Sequence, residues 1–111
     1  MDPNTVISIV VPLQQDASLI PVVVKDIDQV MGKSFRFFEI ILVDDGSTDN
    51  TPAICAEFAD SRFRYIRQEN TGLSAARNTG IMASTTDFVA LLDADDAWEP
   101  EFLHRILSRF R

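Results

Sequence analysis

The chain has 111 residues, 46% hydrophobic and 24% charged, with a formal net charge of −7 at pH 7. That length supports one domain with a real core and excludes two. An acidic surface without a lysine–arginine stripe excludes nucleic acid and anionic lipid as partners, so an anionic substrate would have to be drawn in by a local positive centre.

The N-terminus, MDPNTVISIVVP, has an apolar run but no basic segment before it and no small-residue cleavage site, so it does not read as a signal peptide. No apolar run approaches the ~20 residues of a membrane span. The first strand is expected over Val6 to Val11 (VISIVV). Ser18-Leu19-Ile20-Pro21 then opens a helix with Val22, Val23, Ile27, Val30 and Met31 on its apolar side and Gly32 as its C-terminal stop. A second strand follows over Phe37 to Val43 (FFEIILV). Thr51 as N-cap and Pro52 at the first helical position begin the second helix. Cys55 within it is a small core residue, and as the chain's one cysteine it forms no internal disulfide.

A third strand, Phe63 to Ile66, alternates and belongs near an edge. Gly72-Leu73-Ser74 opens a third helix running to about Ala83. The fourth strand, Phe88 to Leu92, is a continuous apolar run like the first and second, which is how strands buried on both faces of a parallel sheet look. Trp98-Glu99-Pro100 opens a fourth helix carrying Phe102, Leu103, Ile106, Leu107 and Phe110. The order βαβαβαβα predicts an α/β fold, a Rossmann-like parallel sheet with alternating helices on both faces.

In such sheets ligands bind beyond the carboxyl ends of the strands. Those ends read Pro12-Leu13-Gln14-Gln15, Asp44-Asp45-Gly46-Ser47, Gln68-Glu69-Asn70 and Asp93-Ala94-Asp95-Asp96. Each acidic cluster has a plain reading: Asp-Asp-Gly-Ser is turn chemistry, Asp49 or Thr51 caps the next helix, and one carboxylate of the last cluster caps the helix near Pro100. Together, five carboxylates at one end of a sheet call for a cation. Asp93, Asp95 and Asp96 suit a hard divalent ion, Mg2+ or Mn2+, with water and a phosphate completing its octahedron. His104 and Cys55 have no partner at zinc-ligand spacing, and His104 reads as a helix-surface residue.

SIVVP, EIILVDDGSTDNT, QENTGLSAARNTGI and DFVALLDADDAWEPEFL, in this order and at these intervals, resemble the N-terminal half of the family-2 glycosyltransferases. The match covers nearly the whole chain. DDGS or DxD alone would be a weak signal; four blocks in sequence are a strong one. The resemblance implies a GT-A type fold truncated to its N-terminal half, with residues 1–111 forming the nucleotide-sugar-binding half of the domain. It implies a nucleotide-diphosphate sugar as donor, transferred with inversion to a hydroxyl of a saccharide or lipid-linked acceptor, and a cytoplasmic, at most membrane-peripheral, location. Pro12, Gln14, Asp44, Asp45, Gly72, Arg77, Asn78, Asp93 and Asp95 match substrate-side positions. Asp45 corresponds to the carboxylate that hydrogen-bonds the base, Asp93-Ala94-Asp95 resembles the DxD motif, and Asp95 and Asp96 lie on the metal side.

Gln14-Gln15 stand where family members often have Tyr-Asn, which removes a base-stacking ring. No residue here matches the general base, which is expected beyond Arg111 together with the acceptor site. Exposed apolar surface where a second half would dock predicts self-association. Two other readings remain: a non-catalytic nucleotide-sugar-binding module, and a receiver-type signalling domain, which ILVDD also resembles. The receiver would need its acidic pair after the first strand and a lysine after a later one, whereas Lys25 and Lys33 both precede Asp44.

Overall fold

A computed structural model of the chain describes residues 6–14, 17–34, 37–58 and 62–92. Strands β1 (Val6–Leu13), β2 (Phe37–Asp45), β3 (Phe63–Gln68) and β4 (Phe88–Leu91) form one sheet in the order β3-β2-β1-β4, every pair parallel. Between them lie a 3-10 turn (Ala17–Leu19) and helices α1 (Ile20–Ser34), α2 (Thr51–Ala56) and α3 (Leu73–Ala83). The expected parallel α/β architecture is the one observed.

Strand alternation divides the core. Ile7, Ile9, Val11, Phe38 and Ile40 face Ile27 and Met31 of α1, while Leu13 and Leu42 pack with Ile20 and with Cys55 of α2. On the opposite face Val10, Ile41 and Val43 meet Ala76 of α3. These side chains are 0–4% exposed, and each large one contributes about 1.5–3 kcal/mol by leaving water. Helix α3 comes close to the sheet because Gly80 has no Cβ: one built there would stand 2.2 Å from Val10 Cγ1.

Several boundaries differ from the sequence reading. Strands β1, β2 and β3 each continue two residues past their apolar runs, so that Leu13 pairs with Asp44, Asp44 with Arg67, and Asp45 with Gln68. The ladder is made by the backbone, which is indifferent to side-chain polarity. Strand β4 was expected to be buried on both faces, yet it is an edge strand among the described residues, with Val89 37% and Leu91 50% exposed. Helix α1 runs through Gly32 to Ser34, and Val22 is exposed rather than on the packed side. Helix α2 has Asn50 as its N-cap and Thr51 as its first helical residue, one position earlier than expected. The expected fourth helix, His104, Gln15, Asp93, Asp95 and Asp96 lie outside the described residues.

Candidate functional site

The strand order sets the site. From β1 the chain steps to β2 and β3 on one side and to β4 on the other, so the reversal of direction, where open α/β sheets bind ligands, falls between β1 and β4. The same order disfavours the receiver reading, because such folds set their third strand beside the first. Pro12 is buried at this point, paired in register with Val43. Pairing between β1 and β4 ends at Val10–Leu91, and the last bond runs from Leu92 N–H to the Val10 carbonyl at 2.9 Å. In a parallel strand residues two apart turn their polar groups the same way, so Pro12 aims its hydrogen-free nitrogen toward the β4 side, beyond the last pair.

Asp44 and Asp45 are consecutive strand residues and therefore serve opposite faces of the sheet. Both are fully buried. Asp44 lies on the side of α1 and α2, where it accepts bonds from Ser47 N–H at 2.9 Å, Ser47 Oγ at 2.7 Å, Arg67 Nη1 at 3.2 Å and the Tyr65 hydroxyl. Arg67 also donates to the Ser47 carbonyl at 2.8 Å, so the guanidinium holds the carboxylate and the turn after it together. Burial raises the Tyr65 hydroxyl to about 12, reinforced by its bond to Asp44.

Asp45 turns toward α3. Its Oδ1 accepts from Thr71 N–H at 2.9 Å and Gln68 Nε2 at 3.0 Å; its Oδ2 accepts from Gly72 N–H at 2.9 Å and Gln14 Nε2 at 3.2 Å. Burial by itself would raise this carboxyl, but the four donors outweigh it and bring the pKa down to about 2. Two of those donors are backbone groups at the mouth of α3, where the helix dipole adds to the attraction for an anion. The Thr79 hydroxyl, 2.6 Å from Gln68 Oε1, holds the Gln68 amide with its nitrogen toward Asp45.

Gly46 makes the turn between these two networks. Its φ is +74°, and a Cβ there would stand 2.7 Å from the Asn70 backbone nitrogen. Asp49 accepts from the Thr51 hydroxyl, from Thr51 N–H at 3.1 Å and from Ala17 N–H at 3.2 Å. The Thr51 hydroxyl is the main reason its carboxyl lies below the usual range. Asp49 thus ties the start of α2 to the turn that follows β1, while the N-cap position expected of Asp49 or Thr51 is held by Asn50.

Of the residues expected on the substrate side, Pro12, Gln14, Asp44, Asp45 and Gly72 gather at the carboxyl ends of β1 and β2. Arg77 and Asn78 lie on α3, half-buried and exposed respectively. Asp93, Asp95 and Asp96 lie outside the described residues, which end one position earlier at Leu92. Among the described residues no three His, Cys, Asp or Glu side chains are grouped to hold a metal. Asp44 and Asp45 each accept bonds from protein donors. Sequence reading set Ser47, Gln68 and Asn70 at strand ends without giving them a role, and missed Tyr65, Arg67 and Thr71. Period-two spacing in YIRQ was the available signal, since it sets Tyr65 and Arg67 on one face and Gln68 on the other.

Residues 8–111 match the family described as Glycosyl transferase family 2. The chain belongs to this family. Glycosyltransferase GlyA of Streptococcus pneumoniae is 40% identical over 87 residues, 77% of this chain and 12% of that protein. Putative glycosyltransferase EpsH of Bacillus subtilis is 42% identical over 83 residues, 73% of this chain and 24% of that protein. The chain therefore spans a quarter or less of the length of these two relatives. Among solved structures, S. aureus TarS 1–349 superposes with a TM-score of 0.74 at 23% identity, covering 92% of this chain and 31% of that one. Glucosyl-3-phosphoglycerate synthase of Mycobacterium tuberculosis, crystallised with Mn2+, uridine diphosphate and phosphoglyceric acid, gives 0.75 at 23% identity, covering 96% of this chain and 39% of that one. These likenesses establish the GT-A type fold. Among the described residues no helix is long and apolar enough to cross a membrane.

Proposed function

We propose that this chain is the donor-binding region of a family-2 glycosyltransferase, taking a nucleotide-diphosphate sugar for transfer to a saccharide or lipid-linked acceptor hydroxyl. The observation that carries the reading is the order β2-β1-β4. It sets the Asp44-Asp45 strand end and the strand leading into Asp93-Ala94-Asp95 on either side of Pro12 and Gln14. The donor-side residues are Pro12, Gln14, Asp44, Asp45, Gly72, Arg77, Asn78, Asp93 and Asp95.

Asp95 and Asp96 would hold a divalent ion, Mg2+ or Mn2+; the Mn2+ and uridine diphosphate in the mycobacterial synthase support this choice. Bound there, the ion would stabilise the negative charge that develops on the leaving diphosphate. The chain's own groups do the positioning. Arg67 and the donors around Asp44 fix the turn after β2, and Asp45 fixes the mouth of α3, so that both walls are rigid before a ligand arrives. No general base is assigned among residues 1–111. A role in polysaccharide assembly follows the kinship with the succinoglycan biosynthesis protein ExoO of Rhizobium meliloti, 38% identical over 88 residues. A cytoplasmic setting accords with donors of this kind. Val89 and Leu91, exposed on β4, are the side chains through which two copies would associate, and light scattering at rising concentration reads this out.

Isothermal titration of a nucleotide sugar with and without Mn2+ tests the reading. Metal-dependent binding that Asp95→Ala abolishes is the expected result; binding indifferent to metal, or to that substitution, overturns it. A transfer or hydrolysis assay separates an active enzyme from a non-catalytic binding module.

A further inference from the structure

Helix α2 has 6 residues and is about 9 Å long, whereas β2 beside it has 9 residues and spans about 30 Å. The helix starts from the carboxyl end of β2 and stops short of the amino end. A cavity of about 300 Å³ opens where it stops, between α1, Phe58 and the first residues of β2 and β3. Phe38, Ile40 and Ile40's register partner Phe63 form its apolar base. The rings of Phe58 and Phe63 stand 5.8 Å apart and tilted by 43°, and the Arg62 guanidinium lies 4.9 Å over the ring of Phe38. At the mouth, Arg62 is 3.6 Å from Asp28. Lys25, one turn before Asp28 on α1, completes the mouth and has no ion-pair partner among the described residues. Two cations and one carboxylate leave a surplus positive charge here, on a chain of net charge −7. The cavity is separate from the strand-end site, since Ile40 lies about 17 Å before Asp45 along β2.

We propose that this cavity is a second binding site, for a small aromatic carboxylate whose ring lies among Phe38, Phe58 and Phe63 and whose charge meets Lys25. Aromatic pairs gain from offset and edge-to-face contact at centroid separations of about 4.5–7 Å, and a flat rigid ligand loses little freedom on binding. Asp28 already answers Arg62, so the Lys25 ammonium is the charge left for an anion. A lysine can lay its stem on an apolar wall while its head stays in water, which suits a ligand that is apolar at one end and charged at the other. A cationic ring would be repelled by Lys25, and a dianion would meet Asp28. The volume stands at the lower end of small-molecule pockets, about 300–1,000 Å³, which gives room for a bicyclic ring and not for a nucleotide sugar. The site does not depend on the donor reading.

The test follows amide chemical shifts of the isotope-labelled chain as naphthoate, naphthalenemethanol or decanoate is added. Naphthoate is expected to move the amides of Val24, Phe38 and Phe63 and to leave those of Asp45 and Gly72 in place. It should bind about fivefold more tightly than the alcohol, the size of one ion pair at a solvated mouth, and more tightly than decanoate. Lys25→Met, an exposed change that keeps the stem, should bring the two naphthalene ligands within about twofold of each other by weakening the carboxylate alone. Val24→Trp, which fills the cavity, should prevent both from binding. Naphthoate bound no better than its alcohol overturns the proposal, as does a preference that survives Lys25→Met. So do tighter binding of decanoate, shifts centred on Gly72, or no binding at all.

Discussion

Replacing Asp45 by asparagine isolates what the buried carboxylate does for the fold. The amide keeps one acceptor oxygen, and its NH2 must face one of the two backbone donors, Thr71 N–H or Gly72 N–H, each now 2.9 Å from a carboxylate oxygen. Losing one charge-assisted bond and leaving a buried N–H opposed costs about 2 kcal/mol. The pKa gives an independent figure. A fall from 3.8 to about 2 corresponds, at 1.36 kcal/mol per unit and reduced for the solvent beside exposed Gln14, to about 2 kcal/mol. Because the folded pKa lies below the unfolded one, this contribution is complete above about pH 4 to 5 and is lost as the pH falls toward 2. Urea unfolding followed by far-ultraviolet circular dichroism at pH 7, 5, 3 and 2 measures it. Asp45→Asn should be about 2 kcal/mol less stable than wild type at pH 7, and the gap should shrink below about 1 kcal/mol at pH 2. Asp49 shares the acid sensitivity but bonds to Thr51 and Ala17, so subtracting the two curves removes its part. A gap unchanged between pH 7 and pH 2 would refute the claim that the ionised carboxylate anchors the start of α3.

Gly80→Ala gains about 1 kcal/mol of helix propensity but drives a methyl to 2.2 Å from Val10 Cγ1, so a net loss of about 1–2 kcal/mol is expected, partly restored by adding Val10→Ala; a variant as stable as wild type refutes the close approach. Tyr65→Phe removes a donor from buried Asp44 and should cost about 1–2 kcal/mol at pH 7 in urea unfolding. The chain's single tyrosine should ionise near pH 12 by absorbance, and since its folded pKa lies above the unfolded one, its contribution is present below pH 10 and lost as the pH climbs from 10 to 12. Cys55, pushed up to about 11 by burial and by the charges of Asp44 and Asp49, should resist iodoacetamide at pH 8 in the folded chain and react in urea; rapid alkylation of the native state would contradict its place in the core.

The sheet was legible because its signals are local. Apolar runs such as VISIVV and FFEIILV mark central strands, and each strand begins at the residue its run begins at. What sequence could not convey was where pairing stops. Phe88 to Leu92 reads as doubly buried, yet β4 has one strand beside it among the described residues, a fact of topology that no single segment carries. At the site, Asp44 and Asp45 were recognisable as a pair, whereas their partners were not. Tyr65, Arg67 and Thr71 sit 20 or more positions downstream, and they meet the aspartates through a parallel register that a crossover helix sets.

That register changes what an acidic strand tip means. Two adjacent aspartates seem to pool their charge, and a chain of net charge −7 seems to need a cation to hold them. Period-two geometry separates them instead. Asp44 turns to one face and is matched by Arg67, a tyrosine and a serine; Asp45 turns to the other and is matched by two amide side chains and two backbone N–H groups at a helix mouth. Two of the five carboxylates that pointed to a metal therefore have protein donors of their own, and the argument for an ion rests chiefly on Asp93, Asp95 and Asp96. The strand tip then has a division of labour: Asp44 holds the turn after β2 against β3, and Asp45 holds the mouth of α3.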